Sequence, residues 1–417
     1  MEPEAALEFV KQGATMLLLD VPQNTLIGID THMFSTGPNF KGVKMIPPGV
    51  HFIYYSSSNR EGSQFSPIVG FFVDASPSEV IVRKWDSKDE RFIKLSEEEE
   101  ERYAQAVKNL EFDRQLGPYA LDRYGDWKRL SNYITKNTIE SIEPIGGEIT
   151  VISESEVVEN VPKTAMEKVL AEQLKSSKFS KPVEKSPSKG CYYTSIPRVI
   201  KQKGASGQEL TNMNLDKTQI LETILMKQHG GSDDSLLGEL QFTFVAFLMG
   251  QSLEAFLQWK LLVSLLLGCT EAPLHTRTQL FTKFMKAIYY QLKVGFQKDS
   301  KDTGRAEKGA MTLLDESLLS ADNFLRHLCK DFFSLVLDAP MVDGDLLTWT
   351  RKLRELLEQT LGWDFQQNSA VDGMYLEEDD EFAPVVEMLD DPDHTETPLN
   401  MIGGDAICPH HTQAPST

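Results

Sequence analysis

The chain has 417 residues, 41% of them apolar and 9% aromatic, enough to bury real cores in two or three domains and too many for a wholly disordered chain. Acidic residues outnumber basic ones 62 to 42, and the net charge of −20 argues against a protein that binds nucleic acid over its whole surface. Cys191, Cys269, Cys329 and Cys408 lie far apart, which excludes a disulfide framework or a Cys-pair zinc site and suits a reducing compartment.

The opening Met-Glu-Pro-Glu has neither the basic stretch nor the apolar run of a secretory signal, so a soluble intracellular protein is expected. Residues 1–158 read as a β-rich domain. Its runs ATMLLLD (14–20), LIGID (26–30), VHFIYYS (50–56), IVGFFVD (68–74) and VIVRKW (80–85) are bounded by Gly, Pro, Asn, Asp or Ser, as half-buried antiparallel strands are. Between them, Pro47 and Pro48 hold the chain extended and Gly49 supplies the positive φ of a tight turn. A charged helix is expected over 96–116, with Ser96 as its N-cap and Glu97 to Glu101 at the favourable end of its dipole, and a second over 126–136.

Residues 159–207 read as a flexible basic linker. Within 173–203 there are eight basic residues against the single acid Glu184, with too little apolar surface to offset the entropy of ordering. Residues 208–366 change to a helical period. Helices are expected over 215–229, stopped by Gly230-Gly231 with Asp233 or Asp234 capping the next, and over 275–294, 317–337 and 346–361, with a charged loop at 297–308. The apolar run 236–268 is cut by Glu239, Gln241, Gln251, Glu254, Gln258 and Lys260, which points to two buried helices broken at Gly250-Gln251-Ser252 rather than a membrane span. Residues 367–417 read as a largely disordered acidic tail, because 371–417 holds twelve acids and no Lys or Arg.

No Walker loop, dinucleotide fingerprint, nucleophile elbow or His-Glu-x-x-His pattern is present, so no catalytic, cofactor or metal residue is assigned. His51 reads as a structural or surface histidine, Cys269 and Cys329 as buried inert thiols, and Cys408 to His411 as an adventitious metal ligand set at best. Two binding elements remain. The basic linker with Tyr192-Tyr193 offers contacts to RNA or an acidic protein, although such runs are more often simply solvated. In DDEFAPVVEMLDD (379–391), Phe382, Pro384, Val386 and Met388 share one face of an extended strand, a pattern suited equally to strand addition on a partner's sheet or to docking on this protein's own helices.

Taken in order, GATMLLLD, GPNFKGVKMIPPGVHFIYYSS, GFFVD, VIVRKW, LGPY, LLGELQFTFVAFLMGQSLEAFLQWK, DNFL, GWDF and EFAPVVEM resemble the Aar-two family of splicing factors, as a plant-like or other eukaryotic member. The turn residues Gly42, Pro47, Pro48 and Gly49 lie in the most distinctive of these blocks. The resemblance implies an α+β two-domain protein: a β-rich N-terminal domain followed by an all-α, VHS-like C-terminal helical domain. It also implies a non-catalytic, cofactor-free assembly chaperone of the U-five small nuclear ribonucleoprotein. Such proteins bind its central scaffold protein through the ribonuclease-H-like and, in some members, the Jab/MPN domain, hold the precursor particle in the cytoplasm, delay helicase docking and leave in the nucleus. No membrane and no sequence-specific nucleic acid is then expected as a partner, and the protein is expected to be a monomer. Ser186, followed by Pro187, is a candidate proline-directed phosphosite whose phosphate would add roughly −1.5 to −2 charge to the basic linker. The competing class is a VHS-like adaptor for sorting peptides or ubiquitin, which leaves the Gly37–Ser57 block unexplained.

Overall fold

A computed structural model describes residues 12–59, 64–151, 190–197, 206–296 and 324–365. It has a β-rich N-terminal region followed by a helical C-terminal region, as the sequence leads one to expect. The strands are β1 (Ala14–Leu19), β2 (Leu26–Ile29), β3 (His32–Ser35), β4 (Gly42–Ile46), β5 (Gly49–Ser56), β6 (Val69–Ala75), β7 (Val80–Asp86), β8 (Arg91–Ile93), β9 (Leu116–Pro118) and β10 (Ile149–Thr150). They form two five-stranded sheets, β8-β7-β1-β4-β9 and β10-β6-β5-β2-β3.

The expectation of antiparallel, half-buried strands is corrected in two respects. β1 pairs in parallel with β7, and β4 in parallel with β9, so the first sheet is mixed. Both faces of the central strands are buried, because each sheet has a neighbouring layer on either side. Met16 and Leu18 of β1 meet Ile53 and Tyr55 of β5 between the sheets. Leu17 and Leu19 point the other way and pack with Val107 of helix α1 (Glu97–Lys108). On the far side of β5, Phe52 and Tyr54 join the core of the helical region.

Ser96 caps α1 as its side chain accepts from the amide of Glu99. The helix ends at Lys108, short of the expected 116, since Leu110 takes a left-handed φ of 64° and Leu116 is drawn into β9 beside Gly42. The helix expected over 126–136 is two helices, α2 (Tyr124–Ser131) and α3 (Lys136–Ile142), divided where Thr135 begins a capping box with Thr138.

The helical region comprises α4 (Gly207–Leu215), α5 (Thr218–Gln228), α6 (Asp233–Leu248), α7 (Leu253–Leu267), α8 (Thr278–Gly295), α9 (Phe324–Leu337) and α10 (Gly344–Leu361). The break in the long apolar run falls at the expected place, with Ser252 capping α7. The cap of α6 is Ser232, while Asp233 and Asp234 occupy its first turn. No helix among the described residues is long and apolar enough to cross a membrane. The segment 297–308 and residues 317–323 lie outside the described residues.

α6 is buried on every side from Leu236 to Leu248 and joins the two regions. Phe242 stacks on Phe72 of β6 at 4.5 Å between ring centroids. Gly238 lies so close to the Tyr133 carbonyl and the Thr138 hydroxyl that any Cβ there would crowd them. Fully buried Gln241 accepts from the Tyr133 amide (2.8 Å) and donates to the Arg129 carbonyl (3.1 Å) and the Asn132 side chain (3.0 Å). One apolar core therefore runs through both regions. Gln241→Leu preserves the volume and orphans three polar groups at this joint, so it is expected to cost about 2 kcal/mol in urea unfolding. A loss under about 0.5 kcal/mol would show that solvent replaces these bonds freely.

Candidate functional site

The Pro47-Pro48 corner carries the chain from β4 in one sheet to β5 in the other. Gly42 and Gly49 have φ of 144° and 125°, and a Cβ on Gly42 would overlap the Met16 carbonyl. His51 folds back beneath the corner. Its Nε2 lies 2.6 Å from the Pro47 carbonyl and its Nδ1 2.6 Å from Asp30. Both partners are acceptors, so both ring nitrogens donate and the ring is an imidazolium. Burial opposes that charge, but the attraction of Asp30 and the bonds to Asp30 and Pro47 outweigh it, and the pKa of His51 is raised. Asp30 also accepts from the Tyr119 hydroxyl at 2.5 Å and the Phe52 amide at 2.9 Å. Burial, then the Asp30 charge, pushes the Tyr119 phenol well above its ordinary range. His51 and Asp30 are each 1% exposed, so this triad is a structural clamp with no access for a substrate.

A second polar cluster holds residues 190–197, the described part of the segment 159–205. Glu239 of α6, 3% exposed, accepts from the Thr194 amide (2.9 Å), the Thr194 hydroxyl (2.5 Å) and Gln258 (2.8 Å). Gln258 also donates to the Thr194 carbonyl, and Ser195 exchanges two bonds with the Gln228 side chain. Burial raises the Glu239 pKa, against the hydrogen bonds from Thr194 and Gln258. His229, lowered by burial, sits 3.1 Å from the Thr194 hydroxyl. Because that hydroxyl donates to Glu239, the neutral imidazole donates from Nε2 and accepts at Nδ1 from Ser235. The Cys191 amide donates to Glu254 and the Tyr192 amide to the Ile142 carbonyl, so the segment touches both regions.

The exposed candidate is a face shared by α2, α8 and α10. Lys286, Tyr289, Tyr290 and Lys293 occupy positions i, i+3, i+4 and i+7 of α8 and so form one stripe. Trp349 of α10 packs beside Tyr289 and Tyr290, at 5.7 and 5.9 Å between centroids. Cations sit on these rings: Lys352 at 4.3 Å and Lys286 at 5.6 Å from Trp349, Lys293 at 5.8 Å from Tyr289, and Arg129 of α2 at 5.1 Å from Tyr290. Arg129, Lys286, Lys293 and Lys352 are all exposed, and the three rings are half-buried. Asp126 pairs with Arg129 at the rim. The expectation missed this face; the Lys-x-x-Tyr-Tyr-x-x-Lys spacing in 286–293 was its available signal.

Of the other expected residues, Ser186, Phe382, Pro384, Val386 and Met388, like Cys408 to His411, lie outside the described residues. Cys269 and Cys329 are buried, and burial pushes both thiols up. Among the described residues, no group of three His, Cys, Asp or Glu is arranged to hold a metal ion. An open depression is lined by Leu337 of α9 and by Arg351, Arg354, Glu355 and Glu358 of α10, where Arg354 and Glu358 pair with each other.

Fold and face together define a β-rich and helical protein with a shared core and a cation-on-aromatic surface. Residues 12–144 match the AAR2 N-terminal domain and residues 193–366 the AAR2 C-terminal repeat region. Protein AAR2 homolog of Homo sapiens is 32% identical over 378 residues, covering 88% of this chain and 93% of that protein. The Caenorhabditis elegans homolog is 30% identical, covering 88% and 98%. The A1 cistron-splicing factor AAR2 of Saccharomyces cerevisiae is 23% identical over 67% of this chain and 76% of that protein. The chain belongs to the AAR2 family. The second match begins at Tyr193, within the segment held by Glu239.

Proposed function

We propose that this protein is a non-catalytic splicing factor that binds the central scaffold protein of the U-five small nuclear ribonucleoprotein and chaperones assembly of that particle. The observation that carries the reading is the match, across both regions in order, to a family whose yeast member is named an A1 cistron-splicing factor. The ribonuclease-H-like domain of the scaffold, and its Jab/MPN domain, are the surfaces to be engaged, with helicase docking delayed while the factor is bound. The factor then works in both cytoplasm and nucleus.

Physical considerations favour a binding role. A continuous core through both regions makes their surfaces one preorganised body, so a partner touching both pays less ordering entropy on binding. Phe382, Pro384, Val386 and Met388 are proposed to add a strand to the partner's sheet. Ser186 is proposed as the release switch, since a phosphate adds roughly −1.5 to −2 charge to a basic segment. Depleting the protein from its cells tests the reading. Loss of mature U-five particles with retained introns is expected; normal particle levels and normal splicing would contradict it.

A further inference from the structure

We infer that the face shared by α2, α8 and α10 is a binding site for single-stranded RNA. The inference stands apart from the scaffold-binding reading and does not depend on it. The cations and rings alternate along one helix face: Lys286 and Lys293 are two turns apart, about 10 Å along the axis, with Tyr289 and Tyr290 between them. Trp349 and Lys352 continue the pattern on α10, and Arg129 closes it on α2.

Each ring holds its cation in place, at 4.3 Å for Lys352 on Trp349 and 5.1 Å for Arg129 on Tyr290. Less side-chain entropy is then lost when the ammonium or guanidinium donates its outward hydrogens to an anion. These cations share one face of a chain whose net charge is −20, so a polyanion that avoids its acidic parts is attracted here. Lys283, at the edge, is already paired with Asp234 at 2.7 Å and marks where the anion-accepting surface ends.

An acidic peptide would satisfy the charges and leave the half-buried ring edges of Tyr289, Tyr290 and Trp349 uncovered. A nucleic acid uses both, with phosphates on the cations and bases against the rings, which is how sequence-tolerant single-strand sites are built. A duplex presents its bases stacked inward and gains only the charge contacts.

The test is fluorescence anisotropy of a labelled 12-nucleotide oligouridine with the full chain at low salt. Micromolar binding is expected, with log K falling against log salt at a slope of about −2 to −3 for three lysines and an Arg129 shared with Asp126. Lys286→Glu with Lys293→Glu is expected to weaken binding about tenfold or more and to make the slope shallower. Both lysines are exposed, so a circular dichroism spectrum equal to that of the unaltered chain is expected for this variant, with a melting point lower by a few degrees at most from the two lost cation–ring contacts. Lys286→Gln with Lys293→Gln, which removes charge without reversing it, is expected to lose less. No binding by the unaltered chain overturns the inference. Binding that survives both double substitutions also overturns it and makes the basic segment 173–203 the next candidate. Capture of a polyglutamate peptide but not of oligouridine reassigns the face to an acidic protein.

Discussion

Asp30→Ala is expected to be the most damaging single substitution in the β-rich region, lowering unfolding free energy by roughly 3–5 kcal/mol, since breaking one partner of a buried pair leaves the other uncompensated. The carboxylate of Asp30 receives the His51 ring, the Tyr119 hydroxyl and the Phe52 amide. Removing it strands an imidazolium, a phenol and a backbone donor at the corner that joins the two sheets. A reduction in melting temperature of about 10 °C is expected for a body of this size. Less than about 2 °C would show that the clamp is dispensable.

The pH dependence gives a separate handle on the same clamp. The folded-state pKa of His51 is raised, so its contribution is complete below the ordinary value of about 6.5 and is lost as pH rises through the higher folded value. The unaltered protein should therefore lose stability as pH increases above about 6.5. Asp30→Asn removes the charge that sustains the imidazolium, so its melting temperature should change less across that window. Parallel profiles for the two proteins would mean that His51 is not the titrating group.

Glu239→Ala is expected to cost roughly 3 kcal/mol, because the Thr194 amide, the Thr194 hydroxyl and the Gln258 amide all lose their acceptor inside the helical region. The effect should be local as well as global. Residues 190–197 are held by Glu239, Gln228, Glu254 and the Ile142 carbonyl, and the first of these is a buried carboxylate with three donors on it. Hydrogen exchange at Thr194 should rise from protected to nearly unprotected, and limited proteolysis should cut near Tyr192 faster than in the unaltered chain. Unchanged exchange at Thr194 would show that the remaining contacts hold the segment without the carboxylate.

Where apolar runs are long and clearly bounded, the sequence is a good guide. β1, β2, β5, β6 and β7 fall within a residue or so of the expected runs, and the Gly-Gln-Ser break between α6 and α7 is read correctly from a cap residue after a glycine. β3, β4 and β9 are not legible, since HMFS, GVKMI and LGP are short; β4 and β9 take their strand character from partners far away in sequence, and β3 is the return strand of a tight hairpin with β2. Parallel pairing of β1 with β7 is set by a connection of sixty residues, on which local alternation is silent.

Polar residues inside apolar runs carried information of a different kind. Glu239, Gln241 and Gln258 were legible as interruptions that disfavour a membrane span, yet each is also a buried anchor: Gln241 for α2 and α3, Glu239 and Gln258 for the segment at Thr194. The segments they anchor lie between 45 and 112 residues away, so the pattern marks them as special without naming what they bind. The block around Gly42 and Gly49 was recognisable as a motif, and its physical basis is the clamp of Pro47, His51 and Asp30 beneath the corner.

Size-exclusion co-elution of the full chain with the isolated ribonuclease-H-like and Jab/MPN domains of the U-five scaffold protein, at moderate salt, tests the central claim most directly. A stable complex with at least one of these domains is the predicted result. Folded components that elute separately from each other would contradict the assembly-factor account and bring the peptide- or ubiquitin-binding adaptor forward.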